Sequence, residues 1–168
     1  MRRVDMDEFL RSSDGQWLET FGLATCTGLL ATCANNVAYL AHISPRDRVY
    51  GESGTNLLGQ MIKRIDTFDR CPDNRRCTEY TVVATHLESL PGILTKMIES
   101  GIFLSQIRVL HNSQAESAAM VYDHQDELLQ VLWRMGERQT EICTHQGQDA
   151  VNLGEVLGRQ FSTAEGAL

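Results

Sequence analysis

The sequence predicts an α+β domain, and three observations carry that reading. A chain of 168 residues with 42% hydrophobic and 22% charged side chains has ordinary globular composition and the length of one domain. Two stretches repeat apolar residues at helical spacing, and several short runs are dense in β-branched, aromatic and aliphatic residues. Those runs follow one another closely enough to pair largely antiparallel, with the helices set among them.

The first twenty residues are mixed and polar, and Ser12-Ser13-Asp14-Gly15 reads as a turn. Residues 22–33 are rich in Thr, Leu and Ala, and Asn35-Asn36 marks a turn after them. Residues 37–43 form a nearly continuous apolar run, the pattern of a strand buried on both faces. Leu57, Leu58, Met61, Ile62, Ile65 and Phe68 predict a helix, with Ser53 or Thr55 placed to cap it. After a loop over 70–77, Tyr80, Thr81, Val82 and Val83 predict a strand over 79–87. A second helix starts at a Ser89 cap, carries Pro91 in its first turn and the stripe Ile93, Leu94, Met97 and Ile98, and stops at Gly101. Residues 106–111 read as a strand, and 118–123 with 128–133 as the arms of a hairpin around His124-Gln125-Asp126-Glu127. A weaker stripe of Val151, Leu153, Val156, Leu157 and Phe161 makes 136–168 a helical C-terminal extension of a domain spanning 1–135.

Fifteen Lys and Arg against twenty-two Asp and Glu leave a net charge of −7, the wrong sign for holding a nucleic-acid backbone. No apolar run approaches the roughly 20 residues of a membrane helix, so neither nucleic acid nor membrane is an expected partner. Met1-Arg2-Arg3 begins like a signal peptide, but Asp5, Asp7 and Glu8 stand where its apolar stretch belongs. The chain is therefore expected to be soluble and cytoplasmic as synthesised. Five cysteines (Cys26, Cys33, Cys71, Cys77, Cys143), odd in number and irregular in spacing, fit free thiols in a reducing compartment.

Cys26 follows a turn-permissive glycine and small residues in Thr20-Phe21-Gly22-Leu23-Ala24-Thr25-Cys26. Backbone amides at such a point can donate to an oxyanion. His42 comes sixteen residues later, at the end of Tyr39-Leu40-Ala41, and a neighbouring imidazole converts a thiol to the nucleophilic thiolate. Free cysteine is also among the most buried residue types, and a lone histidine at a strand end commonly serves packing. Register decides between these readings. A two-residue turn at Asn35-Asn36 would set Cys26 and His42 three positions apart and on opposite faces. A catalytic pair needs a longer loop, a bulge, or Cys26 in the turn before its strand.

The segment Thr20-x-Gly22-x-x-x-Cys26, followed by Ala41-His42 at the end of an apolar strand and then by Pro45, resembles the CheD family of chemoreceptor glutamine deamidases. The similarity in order of elements covers about residues 16 to 134. The resemblance implies a packed antiparallel or mixed β-sheet sandwich with two or three covering helices. It implies Cys26 as nucleophile, His42 as general base and Thr20 as the hydroxyl completing the site. The implied partner is a protein bearing the substrate glutamine, and neither metal nor organic cofactor is implied. A similar Cys/His/Thr site occurs in bacterial toxins that deamidate a host glutamine.

The family's glycine pair after the central strand is replaced here by Ala84-Thr85-His86-Leu87, and its basic and serine positions by Glu116-Ser117-Ala118. These departures favour an effector delivered into another cell over a chemotaxis enzyme. A catalytically silent protein-binding module on the same fold is the alternative of another class. Among other groups, Cys71 and Cys77 with His86 invite a zinc reading, although a five-residue gap exceeds usual ligand spacing. Arg75-Arg76 offers an acidic partner two charges. Cys33, at odd spacing from Cys26, faces the opposite side as core, and Ser44 and Ser113 lack a His–Asp pattern for serine hydrolysis.

Overall fold

The computed structural model describes residues 1–13, 15–45, 56–71, 78–136 and 140–145. The apolar run at 37–43 becomes strand β5 (Val37–Ile43), buried at every position. Its residues alternate between two cores. Val37, Tyr39, Ala41 and Ile43 face helices, whereas Ala38 and Leu40 face a second sheet. β5 lies inside a five-stranded sheet with β2 (Glu8–Ser12), β4 (Thr27–Cys33), β6 (Glu79–Ala84) and β7 (Ile107–His111), in the order β2-β5-β4-β6-β7. The second sheet contains β1 (Arg2–Arg3), β3 (Leu18–Leu23), β8 (Ser117–Asp123), β9 (Leu128–Arg134) and β10 (Thr140–His145), in the order β1-β3-β8-β9-β10. Pairing is antiparallel except for β1 with β3 and β6 with β7.

Helices α1 (Leu57–Phe68) and α2 (Leu90–Glu99) cover the outer face of the first sheet with most of the stripes the sequence marks, but Phe68 and Ile98, at or next to the helix ends, turn to solvent and are exposed. Leu58, Met61, Ile62 and Ile65 come from α1, and Leu90, Ile93, Leu94 and Met97 from α2. The architecture is an α+β sandwich of two sheets, and the described residues hold two covering helices.

Several boundaries differ from expectation. The polar first twenty residues form β1, β2 and the start of the inner strand β3; β1 and β2 are outer strands, which need little apolar patterning when one edge meets water. Helix α1 is capped by Asn56, whose side chain accepts the Gly59 N–H at 2.9 Å; Ser53 and Thr55 lie outside the described residues. Ser89 makes no capping bond, because a 3₁₀ turn over Leu87–Ser89 already leads the chain into α2. That turn also ends β6 at Ala84. Within the expected helical extension, Thr140–His145 is a strand paired antiparallel to β9, so the second sheet continues beyond residue 135. The stripe from Val151 to Phe161 lies outside the described residues.

Cys71 corrects the expectation of unbridged thiols throughout, because it is disulfide-bonded; Cys26, Cys33 and Cys143 are in no disulfide. His124, at the start of the expected hairpin turn, is buried. Its Nδ1 accepts the Gly15 N–H at 3.1 Å, so Nε2 donates to the Asn36 carbonyl at 2.6 Å, and the ring ties the second sheet to the β4–β5 turn.

Candidate active site

The β4–β5 loop settles the register. It holds three residues, 34–36, and closes with Asn36 at φ +60° donating its N–H to the Cys33 carbonyl at 3.2 Å. Asparagine tolerates this left-handed conformation, and a third loop residue changes the pairing by one relative to a two-residue turn. Gly28 therefore stands opposite His42, and Cys26, two residues earlier, packs between the two sheets. The ladders of β4 end beside it, at Thr27 opposite Ile43 and at Gly28 opposite Val83.

Thr20 reaches the same layer through a bulge. The β3–β8 register shifts between Thr20 and Leu23, and Gly22 takes φ +72° within the bulge. The extra residue turns Phe21 and Gly22 outward while Thr20 and Leu23, three positions apart, are both fully buried. The chain then leaves the second sheet. Ala24-Thr25-Cys26 crosses to the first sheet, and β4 begins at Thr27. Cys26 thus sits in the turn before its strand, 7% exposed, among the residues packed between the sheets.

Thr20 Oγ1 lies 2.8 Å from His42 Nδ1 and donates to the Val4 carbonyl at 2.8 Å. A hydroxyl has one proton, and here Val4 takes it. His42 Nδ1 must then carry the proton of the second bond, which leaves a lone pair on Nε2. Burial lowers the His42 pKa below its ordinary 6.5, against an opposing pull from Asp7 and Asp5. The two bonds of Thr20 fix the tautomer of the ring.

Asp7 anchors the end of β5. At φ +59° its N–H donates to the His42 carbonyl at 2.7 Å, and its carboxylate accepts the Ser44 N–H and hydroxyl, both at 2.9 Å. Ser44 is accordingly an anchoring group. On the other side of Cys26, buried Thr85 donates its hydroxyl to the Ala24 carbonyl and fixes the crossover peptide. Val4, Asp7 and Thr85 are site residues that sequence reasoning missed. Only Thr85 left a signal, since it lies where the family's glycine pair is absent.

The structure joins Thr20 to His42 and seats Cys26 at the same end of the intersheet layer. It sends the other free thiols elsewhere. Cys33 faces the helices, where burial and then Asp69 push its pKa up to about 12; burial and Glu141 also raise Cys143. The zinc reading finds no support among the described residues, which hold no group of three or more His, Cys, Asp or Glu able to share a metal. Cys71 is consumed by its disulfide, while His86 lies half-exposed beside Glu88 at 3.7 Å. Cys77, Arg75 and Arg76 lie outside the described residues, and Ser113 is exposed in a turn. No helix of the described residues is long and apolar enough to cross a membrane.

No family model matches the chain, and no curated protein matches it. Among solved structures it is similar to the hypothetical protein YfiH of Bacillus licheniformis, with a TM-score of 0.48 and 12% identity. That alignment covers 61% of this chain and 49% of the other, so the chain spans about half the length of that structure.

Proposed function

We propose that the chain is a cysteine-dependent amidohydrolase of the CheD type, converting a glutamine side chain of a partner protein to glutamate. The observation that carries the reading is the proton assignment at His42, whose Nδ1–H is held by Thr20 so that Nε2 is the basic nitrogen. His42 Nε2 takes the Cys26 thiol proton, and the thiolate attacks the carboxamide carbon. Backbone amides of the crossover receive the oxyanion, and protonated His42 returns its proton to the departing ammonia, leaving a thioester. His42 then takes a proton from water, the hydroxide adds to the thioester, and collapse releases glutamate and the thiol.

The test is peptide mass spectrometry of bacterial and eukaryotic lysates treated with wild type or Cys26→Ala. A gain of about one dalton at a glutamine, the difference between amide and acid, is expected only with the wild type. Its absence from both lysates would leave the binding-module reading in its place.

Of the two settings, delivery into another cell is the one we favour over a chemotaxis role. The Cys71 disulfide supports it, since such bonds persist chiefly in oxidising compartments. Thiol titration of the denatured, non-reduced protein separates the settings: three reactive thiols fit export, and five fit a wholly reducing life.

A further inference from the structure

Strand β2 ends the first sheet, and no described strand pairs with its outer edge. Arg2 Nη1 donates to the Arg11 carbonyl at 3.1 Å, reaching it from the second sheet, so that carbonyl faces away from β5. In an antiparallel strand a residue's N–H and C=O point the same way and repeat every second residue, so Phe9 also turns its backbone groups outward. A cavity of about 530 Å³ lies along this edge, lined by Arg2, Phe9, Leu10, Arg11, Ser13 and Arg64. That volume is in the range of specific ligand sites.

The charges around the cavity are uneven in their commitments. Arg11 is held by Asp69, through bonds of 2.9 and 2.8 Å. Arg2 and Arg64 are exposed, and neither has a carboxylate partner among the described residues. Arg64 instead lies over the Phe68 ring at 5.3 Å. Two guanidinium groups without a carboxylate partner among the described residues, Arg2 resting on the Arg11 carbonyl and Arg64 on the Phe68 ring, thus flank the outer edge of β2 on a chain of net charge −7. Cations beside such an edge discourage self-pairing, and the same charge selects an acidic strand.

We propose that this edge binds an extended acidic segment of a partner protein, which pairs with β2 and sets its carboxylates against Arg2 and Arg64. The proposal is independent of the chemistry at Cys26. A single-stranded nucleic acid also carries anions in extended form, but the overall negative charge and the backbone donors and acceptors of β2 favour a peptide.

The test is fluorescence polarisation with a labelled short peptide of alternating Glu and Thr. Saturable binding is expected, weakened about ten-fold or more by Arg2→Glu and by Arg64→Glu, with both variants folded by circular dichroism. The same peptide N-methylated at alternate residues should bind about ten-fold more weakly, since it loses the donors that pair with β2. Absence of binding, unchanged affinity in both variants, equal affinity for the N-methylated peptide, or preference for a single-stranded DNA oligonucleotide would each overturn the proposal.

Discussion

Thr20 Oγ1 and His42 Nδ1 meet at 2.8 Å across the two sheets, with the imidazole as donor because Thr20 gives its own proton to Val4. One hydroxyl thereby sets the tautomer of the ring. Thr20→Val removes the acceptor and leaves a buried N–H unpaired. Under the proposed chemistry, iodoacetamide labelling of Cys26 near pH 7 is expected to slow about ten-fold, and Thr20→Ser should restore most of the rate. Peptide mapping of the labelled cysteines measures both; an unchanged rate in Thr20→Val would remove Thr20 from the site.

Gly28 has a steric reason. A Cβ there would stand 2.2 Å from Met120 Sδ and 2.9 Å from Leu23 Cδ1, both from the second sheet. Gly28→Ala is expected to destabilise by about 1–3 kcal/mol in urea unfolding, as over-packing of cores does. In a Met120→Ala background the cost should shrink, and strictly additive losses would show that the two positions do not collide.

Burial lowers the pKa of both His42 and His111 below 6.5. Each binds its proton more weakly in the folded chain than in the unfolded one, so the unfolded state gains protons first as pH falls. Stability is expected to be highest above 6.5 and to decline as pH drops below it, toward the lowered values. Urea midpoints between pH 7.5 and 5 test this, and the decline should become shallower in His42→Gln.

Asp69 is the buried hub of a separate network, accepting from Arg11, from Asn35 at 3.0 Å and from the Tyr39 hydroxyl. Its bonds to Arg11, with help from Tyr39 and Asn35, hold its pKa near about 2. The stability it contributes is complete above the ordinary 3.8 and is lost as pH falls from there through about 2. Asp69→Ala takes the shared acceptor from the Arg11 guanidinium and the buried Tyr39 hydroxyl and should cost about 3 kcal/mol at neutral pH, measured by denaturant unfolding. A loss below about 1 kcal/mol would show that water replaces the carboxylate.

What the sequence made legible was local and periodic. Val37–Ile43 and Leu57–Phe68 lie where the apolar patterns place them, because a strand buried on both faces and an amphipathic helix write their surroundings into their composition. β2 and β10 escaped for the opposite reason: Glu8–Ser12 and Thr140–His145 are the last strands of their sheets, and Glu8 in the one and Glu141 and Ile142 in the other are exposed. Thr20 and His42 were legible as a pair through resemblance, but Val4 and Asp7 act through backbone atoms or a left-handed turn, which no residue pattern announces. The three-residue loop at 34–36 was the decisive detail, since its length fixes which side of β4 faces His42.

Because Thr20 belongs to one sheet and His42 to the other, their shared proton is a gauge of the spacing between the layers. A molecule that wedges the layers apart would lengthen that bond without touching either side chain, and the ring would be released to exchange its tautomer. The Nδ1 proton of His42 should therefore appear as a sheltered, downfield NMR signal, and its exchange with solvent would time the opening of the seam.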